Sequence, residues 1–566
     1  MALSQHSIAD NVRKFVAKKR TTSTPRSLYW GLKLLSLGSI TLMVFALPHL
    51  VPGSPIRLYE SWPLTPPQRE QLITEYGFDR SLPSQYIFWL QRIVTGRWGS
   101  SRYYQRSVLQ DVWQAAGLTL LLLFWTALAS LLWGMLLGRL RRVWSFTPPR
   151  RLPRLLLLMT AVPNFLIAIL LRDVLIWQLG WISMANLPLF DPHYLFNPLQ
   201  MLLPASALAL TPLLVWSASR TTLPLSAPPI PYASSWRQRR IRFCTLFRPL
   251  LNVFLLDVLL TEYVFSLPGL GSLGIAALKR RDFPMFQGFL LCAALLYVLL
   301  HLILDWGRRA YSQERCITSN ACTSLAMLAP SRRDIYSGIC CLATLLALAF
   351  WAPLLTPHDP ATIHSNDQLL LPGYRYILGT DFLGRDVFSR TVEGFRSLIP
   401  RVMLVTVLTG GGGWLLWLLG RLLPQPLKKV SRGGLELLTA MPPFLLAFMI
   451  FLVVEQYAWA LELTLLLACL PLAGQLLASP VPLLYRAARL AHLGSLILLL
   501  TVTFFFLNIT TESFVPTWGG DIRLGMNYSH INIWILLTPS LAIAWSRYSF
   551  HLLSDHLFAL TSPSMV

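Results

Sequence analysis

The most polar stretch of this largely apolar chain is LGTDFLGRDVFSR, which runs from Leu378 to Arg390. Its Asp, Arg and Gly residues could form a phosphate-binding loop, a metal site or a turn at a membrane surface. A phosphate loop is excluded, because the chain contains no G-x-x-x-x-G-K-[ST] and no Gly-Lys pair. A metal site lacks a neighbouring His or Cys, since Asp381 and Asp386 stand beside Arg385 and Arg390 instead.

The turn interpretation explains the Gly, Asp and Arg residues of this stretch. Gly379 and Gly384 would relieve backbone strain, because glycine tolerates conformations that other residues avoid. The neighbouring Asp and Arg side chains would neutralise one another. A turn of this kind is expected at a membrane surface, next to the end of a membrane-spanning helix. This interpretation therefore requires such helices elsewhere in the chain.

The composition indicates a membrane protein with several spans. The chain has 566 residues, of which 54% are hydrophobic and 13% charged, against roughly 45–50% and about 25% in soluble domains. Apolar runs of about 20 residues, long enough to cross a bilayer as a helix, recur along it. The net charge of +23 does not require nucleic acid, because cytoplasmic loops of membrane proteins retain Lys and Arg. The predicted fold is all-α and polytopic.

About twelve transmembrane helices are predicted, six in each half. They lie near 28–50, 113–138, 153–178, 200–218, 249–266, 284–306, 335–355, 398–420, 434–455, 459–479, 492–510 and 531–550.

The short connections between these spans predict the orientation. RLRRVWSFTPPRRLPR and KKVSR fall on one side, whereas 179–199 and 456–458 on the other side carry no Lys or Arg. Basic short loops stay in the cytoplasm, so both termini are predicted to be cytoplasmic. The segments 51–112 and 356–397 are then outer segments.

The two halves resemble each other in sequence. TAVPNFLIA at Thr160–Ala168 returns as TAMPPFLLA at Thr439–Ala447, and TEYVFSLPGLG from Thr261 returns as TESFVPTWGG from Thr511. Six spans per half give both copies the same orientation, which predicts a parallel repeat with a substrate path between the copies. The predicted modules are 1–306 and 334–566, joined by a basic cytoplasmic linker at 307–333.

Two kinds of residue at membrane depth are candidates for the translocation path. Glu262 and Glu512 stand near the outer ends of the two fifth spans, where an acid either faces the path or caps a helix. Both interpretations remain open. Two prolines, each followed by a phenylalanine, lie inside spans, where they could serve as gating kinks or be ordinary span prolines; these residues are Pro163, Phe165, Pro442 and Phe444.

The motifs resemble one transporter family. LGTDFLGRDVFSR resembles the GTD-x-x-GRD-x-x-SR signature of the second permease subunit in the dipeptide/oligopeptide/nickel class of ATP-binding cassette (ABC) importers. GFDRSLPSQYIFWLQRIVTGRWGSS and EYVFSLPGLGSLGIAALKRRDFPMFQG resemble the partner subunit. The resemblance implies a fused permease that moves peptides or a related small solute from periplasm to cytoplasm by alternating access, with no covalent chemistry of its own.

The resemblance also implies two loops that couple to ATPases. The family pattern falls on YASSWRQRRIRF in the first half, with Tyr232, Trp236, Arg237 and Arg239, but that copy lacks the family's glycine. In the second half the pattern falls on YRAARLAHLG, with Tyr485, Arg489 and Gly494, but the segment after it is largely missing. The two loops are therefore expected to be unequal partners.

Partners and location follow from the same resemblance. It implies two ATP-binding cassette subunits or a fused ATPase, a periplasmic or surface substrate-binding protein and membrane lipid, but no nucleic acid, cofactor or metal ion. The location is the bacterial cytoplasmic (inner) membrane. The alternatives are a nickel or metal-chelate importer of the same family, an ion-driven secondary transporter using Asp257 or Asp173, and a membrane protein that no longer transports.

Overall fold

The structure is a computed structural model of the full chain. It describes residues 26–60, 65–143, 162–173, 198–221, 240–241, 243–309, 332–424, 427, 433–435, 438–457, 459–477, 483–510 and 515–560. Most of the predicted linker 307–333 lies outside these residues.

The described helices fall into two series. The first half contributes α1 Arg26–Leu50, α2 Pro66–Tyr76, α3 Leu82–Val94, α4 Val108–Val143, α5 Asn164–Asp173, α6 Pro198–Thr221, α7 Leu251–Val264, α8 Leu270–Arg280 and α9 Phe283–Arg309. The second half contributes α10 Arg332–Leu355, α11 Val387–Leu422, α12 Pro443–Val454, α13 Ala460–Leu477, α14 Leu483–Leu507, α15 Trp518–Gly525 and α16 Trp534–Leu560.

The two series repeat the same order of elements. After a first span, each half has an irregular segment, a helix of 36 residues, a short third helix, two further helices, a short helix and a last span. The long helices α4 and α11 both begin directly after an isolated β-bridge, Ser100–Ser107 in the first half and Thr380–Asp386 in the second. Only the first half places two helices, α2 and α3, in its irregular segment.

The helices confirm the all-α, multi-span fold. Eight helical segments among the described residues are long and apolar enough to cross a membrane, judged by length and composition. The other four predicted spans coincide with α16, with the shorter apolar stretches Met201–Ser217 and Pro443–Val454, and with α5, which is the described part of 153–178.

Packing separates a buried interior from an apolar exterior. Phe504 and Phe506 in α14 are fully buried, and this helix packs on α16 and α11. Large apolar side chains on the long first and second spans of each half are instead exposed, among them Phe350, Leu354 and Val407. Exposed aliphatic and aromatic faces of this extent fit contact with lipid tails.

Three predicted spans begin well after the start of the helices that contain them. The spans predicted at 113–138 and 398–420 belong to helices that begin at Val108 and Val387, so part of each predicted outer segment is helical. Polar residues in the first turns of these two helices lower the local hydropathy, so the hydropathy pattern did not indicate where the helices start. The span predicted at 492–510 begins at Leu483, because α14 continues through the predicted second coupling loop.

Candidate functional site

The motif Leu378–Arg390 forms a self-contained turn. Gly379 and Gly384 have φ of +77° and +76°, in the left-handed region that favours glycine. Oδ1 of Asp381 accepts hydrogen bonds of 2.9 Å from the backbone amides of Leu383 and Arg385. Oδ2 of Asp381 accepts a hydrogen bond of 2.7 Å from Nε of Arg385. This first Asp–Arg pair therefore closes the turn on itself.

The second half of the motif anchors the start of α11. The Asp386 carboxylate accepts a hydrogen bond of 3.1 Å from the backbone amide of Ser389 and caps the helix. Nε of Arg390 donates to Asp521 in α15 at 3.0 Å, and another Arg390 nitrogen donates to the carbonyl of Pro360 at 3.0 Å. The motif thus joins the irregular segment, α11 and α15. We call the end of the bundle that carries it the motif end.

These contacts support the turn interpretation and give a stability prediction. A Cβ at Gly384 would overlap the backbone carbonyl of His364, and φ of +76° disfavours any other residue. Gly384→Ala is therefore expected to lower the free energy of unfolding by about 2 kcal/mol or more. Gly373→Ala is the matched control, because its Cβ would meet only the Leu371 carbonyl at 3.8 Å. Equal melting temperatures of the two purified variants would contradict the assignment.

Glu262 links three helices of the first half. Its Oε1 accepts a hydrogen bond of 2.6 Å from the Thr119 hydroxyl in α4. Its Oε2 accepts one of 2.6 Å from the backbone amide of Gly271 in the first turn of α8. The Leu270 amide donates to the Thr119 hydroxyl at 2.9 Å. A carboxylate at a helix N-terminus is favourable, so this geometry fits the helix-capping alternative better than a free position in the path.

Among the described residues of the second half, the corresponding turn carries Phe504 rather than an acid. Ser266 and Asn508 have the same φ of +52° just after α7 and α14. In both turns an amide donates to the carbonyl five residues earlier, which is Glu262 in the first half and Phe504 in the second. Phe504 therefore takes the place in this turn that Glu262 has in the first half, and the match between Glu512 and Glu262 stays a prediction. Glu512 follows the end of α14 and lies outside the described residues.

The predicted proline kinks are helix starts. Pro163 directly precedes α5, and Pro442 is the N-cap of α12, with Pro443 at its first position. A proline costs nothing at the first turn, because that turn has no intrahelical partner for its amide. The interpretation of these prolines as kinks inside continuous spans was therefore wrong.

Phe165 and Phe444 follow these prolines at equivalent positions, and both are buried. The Phe165 ring lies 5.4 Å from that of Phe506 in the second half, measured between centroids. Tyr263 of the first half lies 5.9 Å from the same ring. The Phe444 ring contacts Phe448 of its own helix at 6.3 Å. Phe165, Tyr263 and Phe506 form an aromatic seam between the halves.

Polar contacts join the halves nearby. A guanidinium nitrogen of Arg172, at the end of α5, donates to the Met526 carbonyl at 2.7 Å. The Ser529 hydroxyl donates to the carboxylate of Asp173. These four residues form the first inter-half clamp. The second inter-half clamp is the ion pair between Arg281 and Glu455, 2.8 Å long.

The two clamps are reciprocal. Met526 is the C-cap of α15 and contacts the end of α5 in the other half. Arg281 is the C-cap of α8 and contacts Glu455, the C-cap of α12. The short helix α15 therefore ends against α5, and the short helix α8 ends against α12. Two modules related by a two-fold axis require such a pair of equivalent contacts. Together the clamps and the aromatic seam connect the two halves at the motif end.

The predicted coupling residues have different outcomes. Tyr232, Trp236, Arg237 and Arg239 lie outside the described residues. Tyr485, Arg489 and Gly494 lie within α14, continuous with the fifth span.

The three described coupling residues make contacts within the second half. A guanidinium nitrogen of Arg489 donates to the Tyr485 hydroxyl at 2.8 Å, and another donates to the Leu476 carbonyl at the end of α13. A Cβ at Gly494 would lie 2.9 Å from the Phe550 ring of α16. These contacts join α14 to α13 and α16 within the second half.

Sequence reasoning missed both clamps and Asp521. The only sequence signal for the clamp residues is their place after recognisable elements. Arg172 follows the repeated TAVPNFLIA element, and Arg281 follows the PGLG element. Asp173 was considered only as support for an ion-driven transporter. Within the described part of the chain, no group of three or more His, Cys, Asp or Glu could hold a metal ion.

Comparison with known proteins finds similarity to transport permeases. Residues 240–315, which include α7, α8 and α9, match the family of binding-protein-dependent transport system inner membrane components. The glutathione transport system permease proteins GsiC of Pectobacterium atrosepticum and Escherichia coli strain K12 are each 25% identical to this chain over 280 residues. That of Salmonella typhimurium is 26% identical over 281 residues. Each alignment covers 47% of this chain and 90% of the relative.

The extent of these matches agrees with the internal repeat. Nearly a whole relative corresponds to about half of this chain, and the described helices run through one series of elements twice. The chain therefore carries a binding-protein-dependent permease domain, is homologous to ABC permeases of the dipeptide/oligopeptide family, and is about twice as long as those relatives.

Proposed function

We propose that this chain forms a membrane-spanning permease of an ABC importer, with two permease modules, 1–306 and 334–566, joined by the linker 307–333. The reciprocal inter-half clamps carry the proposal, because they relate the two series of helices as two facing modules. The path then runs along the interface between the halves.

The proposed cycle is alternating access. Both termini and the linker face the cytoplasm, and the motif end faces the outside. The closed clamps then represent the state in which the outer side is shut. ATP binding by separate ATPase subunits separates the halves at the motif end, and hydrolysis resets them.

The proposed cargo is a small peptide or a related small solute. The homologous GsiC proteins are named as glutathione permeases, and glutathione is itself a short peptide. A substrate-binding protein delivers the solute to the motif end, and the solute leaves into the cytoplasm.

The proposal predicts that ATP hydrolysis belongs to partner subunits. The purified chain is expected to hydrolyse no ATP, because its sequence contains no Walker A motif. Proteoliposomes that also contain its ATPase subunits and binding protein are expected to take up peptide only with ATP. Robust hydrolysis by the isolated chain, after contaminants are excluded, would contradict the proposal.

A second prediction concerns coupling. Force passes to a permease only through a segment that is free to fill a cleft on the ATPase, and Tyr485 and Arg489 instead contact their own half. Replacing Tyr232 and Trp236 with Ala is expected to abolish ATP-dependent uptake while the protein still inserts. Tyr485→Ala is the matched control and is expected to keep most of the uptake. Equal losses in both variants would refute unequal coupling.

A further inference from the structure

One helix of the first half turns an apolar face away from the rest of the described chain. This helix is α3, Leu82–Val94. Ile87 is 57% and Val94 80% exposed, and Leu90 between them is partly buried. Spacings of three and four residues place these side chains on one face of a helix. We call Ile87, Leu90 and Val94 the apolar stripe.

A second face of α3 packs on the first span, α1. Nε2 of His49 and the side-chain oxygen of Gln85 form a hydrogen bond of 2.9 Å. The hydroxyls of Thr41 and Tyr86 form one of 2.8 Å. The rings of Phe45 and Tyr86 lie 5.4 Å apart, measured between centroids. These contacts hold α3 along the side of α1 rather than beyond its end.

The contacts between α3 and α1 lie at membrane depth. The stretch Lys33–Leu50 of α1 is long and apolar enough to cross a membrane. Phe45 lies five residues before the end of this stretch, and Thr41 lies nine residues before it. These separations are about 8 Å and about 14 Å along a helix. A helix in the membrane interface places its apolar face about 5–10 Å into the boundary between headgroups and acyl chains. The packing of α3 on α1 fits that position.

The side of α3 opposite the stripe is covered by the polar helix α2. Arg92 lies two residues from both Leu90 and Val94, which is about 200° around a helix. Its guanidinium forms an ion pair of 3.4 Å with Glu75 and lies 4.3 Å from the centre of the Tyr76 ring, both in α2. The helix α2, which is described in full, has no buried residue. Charged and polar groups thus lie on one side of α3 and the apolar stripe on the other.

The surface beside the stripe is the exposed apolar face of α1. Leu42, which follows Thr41, and Leu50 are both exposed. Tyr86 and Trp89 lie where α3 meets α1, and tyrosine and tryptophan are typical of the border between acyl chains and water. The stripe therefore continues a surface that fits lipid tails, and it offers a partner protein no polar group for a specific contact.

We propose that α3 is an interfacial membrane helix whose apolar stripe inserts among the acyl chains of the lipid leaflet at the motif end. The side with Arg92 then lies at headgroup level, beneath α2. The corresponding described segment of the second half, 356–386, has one short helical turn, Ser365–Asp367, and no such helix. The anchor therefore belongs to the first half, and part of the predicted outer segment 51–112 lies in the membrane. Lipid contact of this kind requires no transport, so it is independent of the proposed function.

Fluorescence quenching of the full chain in lipid nanodiscs, without ATPase or binding protein, tests the position of α3. Val94→Cys or Ile87→Cys is introduced into a chain whose seven native Cys residues are replaced, and the new thiol carries an environment-sensitive fluorophore. Phospholipids brominated near the top of their acyl chains are expected to lower the emission about twofold or more, because that depth matches an interfacial helix. Iodide in the buffer should have little effect. The control Glu70→Cys, exposed in α2, should respond in the opposite way.

Three results would contradict lipid contact at the stripe. Quenching of both stripe positions by iodide but not by brominated lipid would overturn it and indicate a face for water or a partner protein. Quenching by neither reagent would mean that the stripe packs against protein, which also rejects lipid contact. Equal quenching by brominated lipid at positions 70 and 94 would reject it as well, because the signal would then not depend on the stripe. Because no ATP is involved, absent ATP-dependent uptake would count against the proposed function alone.

Discussion

Replacing Glu262 with Ala is expected to lower the free energy of unfolding by about 2–5 kcal/mol and to abolish solute uptake. The substitution removes the acceptor for the Thr119 hydroxyl and the Gly271 amide, both buried, and leaves a cavity among α4, α7 and α8. Each buried donor left without a partner costs about 1–3 kcal/mol, and the cavity adds to that cost. Thermal melting in detergent measures the effect.

The control is another acid in the same half. Glu75 is 61% exposed and forms an ion pair of 3.4 Å with Arg92, so Glu75→Ala should cost less than about 1 kcal/mol. Combining Glu262→Ala with Thr119→Val should cost less than the sum of the single changes, because the two side chains act as one unit. Additive effects, or equal melting temperatures for the Glu262 and Glu75 variants, would contradict the capping role.

Much of the architecture could be predicted from local pattern. Each of the twelve predicted spans coincides at least in part with a described helix. Apolar runs can predict such helices because a membrane span depends on one continuous stretch of the chain. The turn at Leu378–Arg390 was also predictable, since Gly379, Gly384 and the neighbouring charges act within the motif itself. These features need no knowledge of distant contacts.

The register between the halves was not predictable in the same way. Matching the two TE dipeptides pairs Glu262 with Glu512, whereas the turn after α14 has Phe504 in the place that Glu262 has after α7. Glu512 itself lies outside the described residues. A loop that changes length shifts a sequence alignment without shifting the packed helix. Prolines were misjudged for a related reason, because hydropathy continues through Pro163 and Pro442 although the helices begin there.

The contacts between the halves were also beyond sequence reasoning. Arg281 and Glu455 are far apart in the chain, and each alone resembles an ordinary interfacial charge. Such pairs depend on tertiary placement, which periodicity and composition do not contain.

The second large effect concerns the closed end of the interface. If solute passes between the halves, tying Arg281 to Glu455 should stop transport, because the clamp must open in every cycle. The experiment places Cys at both positions in a chain whose seven native Cys residues are replaced. A reducible bis-methanethiosulfonate then joins them. The Arg281 side chain is 65% exposed, which gives the reagent access.

A matched control joins an ion pair within one half. Arg375 and Asp367 are 3.2 Å apart at the same end, with the Arg side chain 68% exposed, and both belong to the irregular segment of the second half. A cross-link there leaves the halves free to separate. It should therefore leave ATP-dependent uptake close to that of the unmodified chain.

The most direct test of a path between the halves is uptake by the cross-linked chain, reconstituted with its ATPase subunits and binding protein. We predict that joining positions 281 and 455 reduces ATP-dependent uptake at least tenfold and that reduction of the cross-link restores it. The control cross-link at 367 and 375 should have little effect. Full uptake with the 281–455 cross-link intact would contradict a path that opens between the two halves.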